Sequence, residues 1–429
     1  MNFMVQGIRL VCLLAAGQAM TWAVDVSAFI GARILDGTSK APIEDGVIVV
    51  RDGRVEAVGS RKAIRIPEEA RIIDLKGKTI TPGFHSTHVH ISDVNGVSPP
   101  AYTKENTERQ LRVYARYGIT TLWSLGGEQR PAFEARREQE KQHVDRSRLY
   151  LSGEIITGET VEAARETVAR VAATKPDILK IRVDDQLGTT KKMPPAVYKA
   201  VIEEAHRRGL RVSAHIFYLE DAKELLRSGV DMIAHSVRDR EIDDEFISLM
   251  KARNIPYCPT LTREVSTFVY GSTPAFFNDP FFLREADRQV VEQLKEPARQ
   301  QALRESHSSQ AYKKALEVAR RNLAKAAQAG VLIVMGTDSG ASANRFQGYF
   351  EHMEMEMMAE AGLAPQQILR SATQDAARAM KLDNAGVIAK GAWADFNVFD
   401  RDPSSDIRLT KTLQSVWISG REVSRPSGK

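Results

Sequence analysis

The amino-acid sequence predicts an α/β protein, a (β/α)8 TIM barrel joined to a small β-sandwich that both chain ends build together. Three observations carry this prediction. Strand and helix patterns alternate over residues 79–384, short strand and turn patterns occupy both flanks, and metal-capable side chains stand at the ends of several predicted strands. Regular alternation of strands and helices is typical of a parallel sheet, and eight such units suffice to close a barrel.

The flanks, residues 24–78 and 385–429, predict the two parts of the sandwich. Short apolar runs in the first flank are separated by turns such as Asp52-Gly53, and an Asp-Gly pair between such runs is a strong hairpin signal. The same pattern of short strands returns in the second flank. Neither flank has enough apolar residues to close its own sheet, so we expect the two to pair, with the barrel inserted between them.

The barrel segment contains eight strand candidates, at residues 79–85, 119–125, 148–153, 178–183, 210–215, 230–235, 256–261 and 331–337. Helical patterns lie between them, at residues 105–117, 161–174, 195–208, 220–228, 243–252, 284–329 in pieces, and 347–361. The last strand candidate is a continuous apolar run, as in a strand buried on both faces. Active sites of such barrels lie at the carboxyl ends of the strands, which predicts one common cavity mouth.

Charged or metal-capable side chains stand at or near the ends of five predicted strands: His88, His90, Lys180, His215, His235 and Asp338. Alternate side chains of a strand share one face, so the H-x-H pair can grip one ion. Imidazole and carboxylate ligands suit zinc, and also manganese, cobalt or nickel. An ammonium repels a cation, so Lys180 can bind a metal only as a neutral amine or as a carbamate.

The ordered set resembles the amidohydrolase superfamily of metal-dependent hydrolases. The matching motifs are Pro82-Gly83 with His88-x-His90 on strand one, Lys180 on strand four, His215 on strand five, His235 on strand six and Gly336-Thr-Asp338 on strand eight. The segment from Tyr349 to Pro365 is similar to the imidazolonepropionase-like branch, which includes Xaa-Pro dipeptidases. The chain departs from the superfamily at Ser86, where an aspartate is usual, and this leaves the contacts around His88 open.

The resemblance implies two divalent metal ions. His88, His90 and Asp338 would bind the first ion, His215 and His235 the second, and a CO2-derived carbamate on Lys180 would bridge them. A metal-bridging hydroxide would attack a carbonyl carbon, with Asp338 as general acid and base. The implied reaction is hydrolysis of an amide or peptide C–N bond in a dipeptide or N-acyl amino acid. A cyclic-amide hydrolase of lactam or imidazolone type is the alternative, and a non-catalytic metal-binding protein of the same fold is a third reading.

Substrate contacts are expected from Arg182, Tyr218 and Arg263, which follow or end predicted strands and could bind a substrate carboxylate. The resemblance also assigns His352, on the helix after strand eight, a role in supporting the site or the substrate. Residues 264–330 are long for one connection and rich in phenylalanine. A lid over the mouth, a packed helical insertion and an oligomer contact all remain open for this segment.

The charge distribution bears on possible partners, and the N-terminal residues bear on localisation. The formal net charge is +5, from 60 basic and 55 acidic residues that are spread along the chain, which argues against a nucleic-acid partner. Residues 1–23 have the pattern of a signal peptide, with an apolar core too short to span a bilayer, so we expect a secreted or periplasmic protein. No other segment is apolar enough for a membrane span. The expected partner is a small-molecule substrate, and a homo-oligomer stays open.

Overall fold

The computed structural model describes residues 25–38, 40–140 and 143–424, which form an α/β fold. The expected signal peptide lies outside the described residues and stays a prediction. Within the described ranges, no helix is long and apolar enough to cross a membrane.

The strands alternate with helices through the middle of the chain and are concentrated at its two ends. In chain order they are β1 (Val26–Ile34), β2 (Ile43–Arg51), β3 (Arg54–Ser60), β4 (Arg71–Asp74), β5 (Thr79–Pro82), β6 (Phe84–Val89), β7 (Ile119–Ser124), β8 (Arg148–Leu151), β9 (Leu179–Arg182), β10 (Val212–His215), β11 (Met232–Ala234), β12 (Tyr257–Cys258), β13 (Phe396–Phe399), β14 (Leu413–Ile418) and β15 (Arg421–Glu422).

The helices are α1 (Lys104–Arg116), α2 (Arg130–Glu138), α3 (Val161–Ala172), α4 (Pro195–Arg207), α5 (Leu219–Arg227), α6 (Asp244–Ala252), α7 (Leu261–Val265), α8 (Arg288–Leu294), α9 (Pro297–Glu305), α10 (His307–Gln328), α11 (Tyr349–Glu360), α12 (Pro365–Ser371) and α13 (Gln374–Met380). Side chains fix several helix starts, because Thr103, Thr160 and Asp243 each accept a hydrogen bond from a backbone N–H of the first turn. Every predicted helix is present, and α2, α7, α12 and α13 are additional.

Both chain ends contribute to one eight-stranded sheet, with the order β15-β14-β13-β5-β1-β2-β3 and β4 beside β1. The predicted hairpin between β2 and β3 forms, with Asp52 and Gly53 at φ 50° and 76° in its turn. The two ends meet where β13 pairs antiparallel to β5. The prediction that the ends pair is therefore confirmed, while their arrangement as a sandwich stays a prediction.

The first predicted barrel strand, residues 79–85, is divided between two sheets. β5 pairs with β1 and β13, whereas β6 pairs in parallel with β7. The break falls at Pro82-Gly83, where a Cβ on Gly83 would lie 2.1 Å from Oγ1 of Thr120. Only glycine allows so close an approach, and proline has no N–H to continue the ladder. His88 consequently lies inside β6, and His90 lies just beyond its end.

Two parallel sheets follow the chain order, β6-β7-β8 and β9-β10-β11-β12. Isolated bridges join their neighbours, with Ile156 beside Ile181, Tyr257 beside Ile333, and Val89 beside Ser339. The predicted eighth strand, residues 331–337, is thus an extended segment rather than a regular strand. It has one bridge, to Tyr257, and on its other side the N–H of Thr87 donates to Met335 and the N–H of Thr337 donates to His88. The carboxyl ends of these parallel elements meet on one side of the molecule.

The aromatic residues of the segment 264–330 form a packed cluster. Tyr270, Phe277, Phe281 and Phe282 are each no more than 4% exposed. Ring pairs connect these side chains to one another and to Tyr349, with Phe282 and Tyr349 at a centroid distance of 5.0 Å. Of the three alternatives for this segment, the structure shows the packed helical insertion.

Candidate metal centre and active site

Six predicted side chains converge at the carboxyl ends of the parallel strands. Their positions are His88 in β6, His90 just after it, Lys180 in β9, His215 at the end of β10, His235 directly after β11, and Asp338 in the extended segment that borders β6. Five of them line an open cavity of about 330 Å³. His235 lies beside this cavity, since its ring centroid is 4.5 Å from that of His88 and 4.1 Å from that of His215.

Asp338 is at the centre of the first group of side chains. Its Oδ1 lies 2.7 Å from Nε2 of His90 and 3.4 Å from Nε2 of His88. The same Nε2 of His88 lies 3.4 Å from Nζ of Lys180. One ligand atom each from His88, His235 and Asp338 lie within 4.8 Å of one another. The structure thus assembles donors that could share a metal ion, with the lysine beside them.

The other two histidines are oriented by polar neighbours that the sequence prediction missed. Nε2 of His215 lies 2.6 Å from Oδ2 of Asp184, and Nδ1 of His235 lies 2.7 Å from Oγ1 of Thr260. A partner on one ring nitrogen leaves the other nitrogen available and fixes the plane of the ring. These contacts are typical of metal-binding histidines.

The backbone of the site is strained at two of the predicted ligands. His235 and Asp338 adopt φ values of 75° and 63°, and Thr260, the partner of His235, adopts 49°. Residues with a side chain rarely occupy this left-handed region, and such outliers cluster at functional sites. The backbone N–H of Asp338 donates to the carbonyl of His88 at 2.8 Å, which ties the strained turn to β6.

Burial keeps three of the site histidines neutral. It lowers the pKa of His88 and His235 well below the ordinary value, and it lowers the pKa of His215 to about 3 although Asp184 opposes the shift. Burial also lowers the pKa of Lys180 to about 8, which leaves about a tenth of the amine neutral at pH 7. Neutral imidazole is the form that binds metal, and a neutral amine is the form that can take up CO2.

Asp338 stays ionised in spite of its burial. Burial by itself would raise its pKa, but the charge of Arg345 and the hydrogen bond from His90 outweigh it and hold the pKa well below the ordinary value. Neutral imidazoles and an ionised carboxylate form a donor set that suits zinc and similar divalent ions. The residues therefore fit the metal centre that the sequence predicted.

A buried glutamate accepts a hydrogen bond from Ser86, the position where the chain departs from the superfamily. Oε1 of Glu351, on α11, accepts hydrogen bonds from the hydroxyls of Ser86 at 3.2 Å, Thr337 at 2.7 Å and Ser339 at 2.7 Å. This carboxylate ties β6 to the segment that carries Asp338. The residue lies in the Tyr349–Pro365 motif, which is the signal that could have identified it.

The predicted substrate contacts are only partly brought to the cavity. Arg182 and Arg263 line it. Tyr218 instead donates to Asp185 at 2.8 Å, outside the cavity lining. His352 is also absent from the lining, because it is fully buried in the aromatic cluster. Its Nε2 contacts the carbonyl of Tyr117 at 2.8 Å and its Nδ1 contacts Oγ1 of Thr410 at 2.9 Å, so both ring nitrogens are engaged.

A buried group of histidines, a lysine and an aspartate at the ends of parallel strands is typical of metal-dependent hydrolases. A model of the amidohydrolase family matches residues 79–423. The chain therefore belongs to the amidohydrolase family, and the predicted resemblance is confirmed at that level.

Individual relatives are more distant. The enamidase of Eubacterium barkeri is 27% identical over 195 residues, which are 43% of this chain and 47% of the relative. The chain thus spans about half the length of this curated relative. Among solved structures, an Xaa-Pro dipeptidase with bound methionine has a TM-score of 0.74 at 20% identity and covers 93% of this chain and 99% of its own. The ochratoxinase of Aspergillus niger has a TM-score of 0.73 at 17% identity, with 94% and 97% covered. At these identities the structural likeness shows the fold alone.

Proposed function

We propose that the protein is a binuclear metal-dependent hydrolase that cleaves an amide or peptide C–N bond in a small substrate bearing a carboxylate, such as a dipeptide or an N-acyl amino acid. The observation that carries the proposal is the convergence of six side chains, remote in sequence, at one cavity: His88, His90, Lys180, His215, His235 and Asp338. The relatives named enamidase, ochratoxinase and Xaa-Pro dipeptidase support a C–N bond as the target.

The proposed fold around this site is a (β/α)8 barrel. It is supported by the parallel pairings of β6 to β12 and by the three bridges, which connect each element to the next and the segment 331–339 back to β6. In such a barrel the catalytic groups come from the ends of several strands, as they do in this proposal.

The proposal has two metal positions, as the family resemblance implies. His88, His90 and Asp338 would hold the first ion, and His215 and His235 the second. Lys180 would bridge them after its neutral amine adds CO2 and releases a proton, which yields an anionic carbamate. Bound divalent ions would supply an activated water and polarise the substrate carbonyl.

Asp338 is proposed to move the proton. Its Oδ1 faces the histidines, so this oxygen is placed to accept a proton from the attacking water and deliver it to the leaving nitrogen. The side chain of Asp338 is only 8% exposed, although the cavity is open, so burial limits the access of bulk water to this oxygen.

The preference for an acidic substrate rests on the charge of the cavity. Among the charged residues that line it, Arg182, Arg263 and Arg345 are cationic and Asp338 is anionic, while Lys180 becomes anionic in the proposed carbamate. Arg182 is exposed, and its guanidinium has no hydrogen bond or ion pair with any described residue. Arg263 is buried and holds Glu264 at 2.9 Å and the hydroxyl of Tyr312 at 3.3 Å. A free guanidinium at the cavity mouth is suited to bind a substrate carboxylate through two parallel hydrogen bonds, that is, in bidentate geometry.

The test is a substrate panel offered to purified, metal-loaded protein. It contains dipeptides, N-acyl amino acids, the same compounds with the carboxylate converted to an amide, and lactams. We expect kcat/KM for the free acids to exceed that for the amidated compounds at least about tenfold, the effect of one charged hydrogen-bonded contact. Asp338→Asn should abolish turnover, whereas Asp383→Asn, at an exposed aspartate, should not.

Two outcomes would redirect the proposal. Hydrolysis of lactams alone would favour the cyclic-amide alternative at the same site. Binding of metal without turnover of any compound in the panel would favour a non-catalytic metal-binding protein.

A further inference from the structure

We propose that Arg345 is a positioning residue that fixes the catalytic carboxylate of Asp338. The inference rests on the proposed function, because it assigns Arg345 a part in the reaction of that site. Sequence patterns do not single out Arg345, which lies seven residues after Asp338 in the loop that leads to α11.

The side chain of Arg345 bridges two elements of the site. Its Nη1 forms an ion pair with Oδ2 of Asp338, and its Nε donates to Oγ of Ser266 at 3.1 Å. Ser266 directly follows α7, and Asp338 lies in the segment that borders β6. The guanidinium of Arg345 therefore connects these two parts of the chain. The side chains of Arg345 and Asp338 are 16% and 8% exposed, which protects the pair from solvent screening.

The backbone that carries Arg345 is held independently of this ion pair. The N–H of Gly340 donates to the carbonyl of Arg345, and the N–H of Arg345 donates to the carbonyl of Ser342, both at 3.0 Å. The hydroxyl of Tyr270, whose side chain is buried in the aromatic cluster, donates to the carbonyl of Asn344 at 2.5 Å. The loop is therefore held against the packed insertion, and this fixes the position of the guanidinium.

The two oxygens of Asp338 consequently have different partners. Oδ1 faces His90 and His88, and Oδ2 faces Arg345. A carboxylate rotates readily about its last side-chain torsion, because that torsion has a broad, roughly two-fold profile. Arg345 removes this freedom, since rotation would break the ion pair. It keeps Oδ1 directed at the position where the proposed proton transfer occurs.

Two other roles for Arg345 predict different kinetics. A residue that binds the substrate carboxylate would change KM, as proposed for Arg182. A residue that only adds positive charge to the cavity would be replaceable by lysine. A positioning residue changes kcat, since a displacement of about 1 Å at the reacting groups can cost about 100-fold in rate.

The kinetic test compares the metal-loaded protein with Arg345→Gln and Arg345→Lys. We expect kcat to fall about 30- to 100-fold in Arg345→Gln with KM within about threefold, and Arg345→Lys to recover only part of the loss because an ammonium cannot reproduce the fork of donors. Arg182→Gln should instead raise KM. Arg109→Gln, in an exposed arginine that bonds Asn106 and does not contact Asp338, should leave both constants within about twofold. Elemental analysis should find parental metal content in Arg345→Gln.

A second measurement does not depend on activity. The melting temperatures of the metal-free parent, Arg345→Gln, Asp338→Asn and the double variant form a cycle. We expect the double variant to melt no lower than the less stable single variant, since either substitution already breaks the ion pair. Additive shifts would overturn the inference, as would a parental kcat or a change in KM alone in Arg345→Gln. An inactive parent with non-additive shifts would overturn the proposed function and leave the positioning contact in place.

Discussion

The His352→Gln variant tests whether this histidine belongs to the protein core or to the active site. Burial in the aromatic cluster lowers the pKa of His352 to about 3, below its ordinary value of 6.5. The unfolded chain therefore binds more protons than the native protein between these two values, and native stability falls as the pH falls through this window. The full shift corresponds to about 5 kcal/mol, of which about 3 kcal/mol is lost by pH 4.

The measurement is urea unfolding of metal-free protein between pH 8 and pH 4. Glutamine keeps an N–H that can reach the carbonyl of Tyr117, but it does not titrate. We expect His352→Gln to lose stability at pH 8 through poorer packing, and to lose about 3 kcal/mol less than the parent between pH 8 and pH 4. Thr410→Val is the matched control, because it removes the other partner of the ring and keeps the titrating group.

Activity gives the second half of this prediction. His352 does not line the cavity, so kcat/KM of the metal-loaded variant should stay within about threefold of the parent at pH 8. If the stability of His352→Gln changed with pH as much as that of the parent, the buried histidine would not be the group responsible, and the argument from burial would be refuted. A large loss of kcat/KM in a stably folded variant would instead indicate that His352 supports the active site.

Three further predictions concern the partner of His215, the buried carboxylate of Glu351 and the N-terminal segment. Asp184→Asn should weaken metal binding about 10- to 100-fold in a chelator competition, because His215 loses its charged partner, and unchanged affinity would contradict this role. Glu351→Ala should lower the free energy of unfolding by about 3 kcal/mol in urea, because it leaves three buried hydroxyls without their acceptor; a loss below about 1 kcal/mol would contradict it. Mass spectrometry of the exported protein should find cleavage after Ala23, and an intact leader would contradict the predicted signal peptide.

The metal-capable residues could be predicted because their signal is local. A histidine or aspartate that closes a short apolar run is visible in the sequence, and parallel strands bring their carboxyl ends to one side. The partners of these residues were not predicted, although Asp184 directly follows the predicted strand 178–183 and so has the same local signal. Asp184, Thr260 and Arg345 acquire their roles from contacts across neighbouring segments, which no single run of residues encodes.

The position of His352 away from the cavity, which the sequence did not predict, has a geometric cause. Adjacent residues of an α-helix point about 100° apart, so a motif on a helix cannot tell which of its members faces the site. On α11 it is Glu351 that points to the segment carrying Asp338, while His352 points into the aromatic cluster. The division between β5 and β6 escaped prediction for a related reason. Pro82-Gly83 marks a break, but only the pairing partners show that two sheets meet there.

The decisive measurement for the proposed centre is the metal content of the purified, metal-replete chain. We expect about two divalent ions per chain, a clear loss of metal in Lys180→Ala, and parental content in Lys191→Ala, an exposed lysine of the loop after β9. A chain that binds no ion under replete conditions would contradict the proposed centre. So would a Lys180→Ala variant that keeps both ions and full turnover.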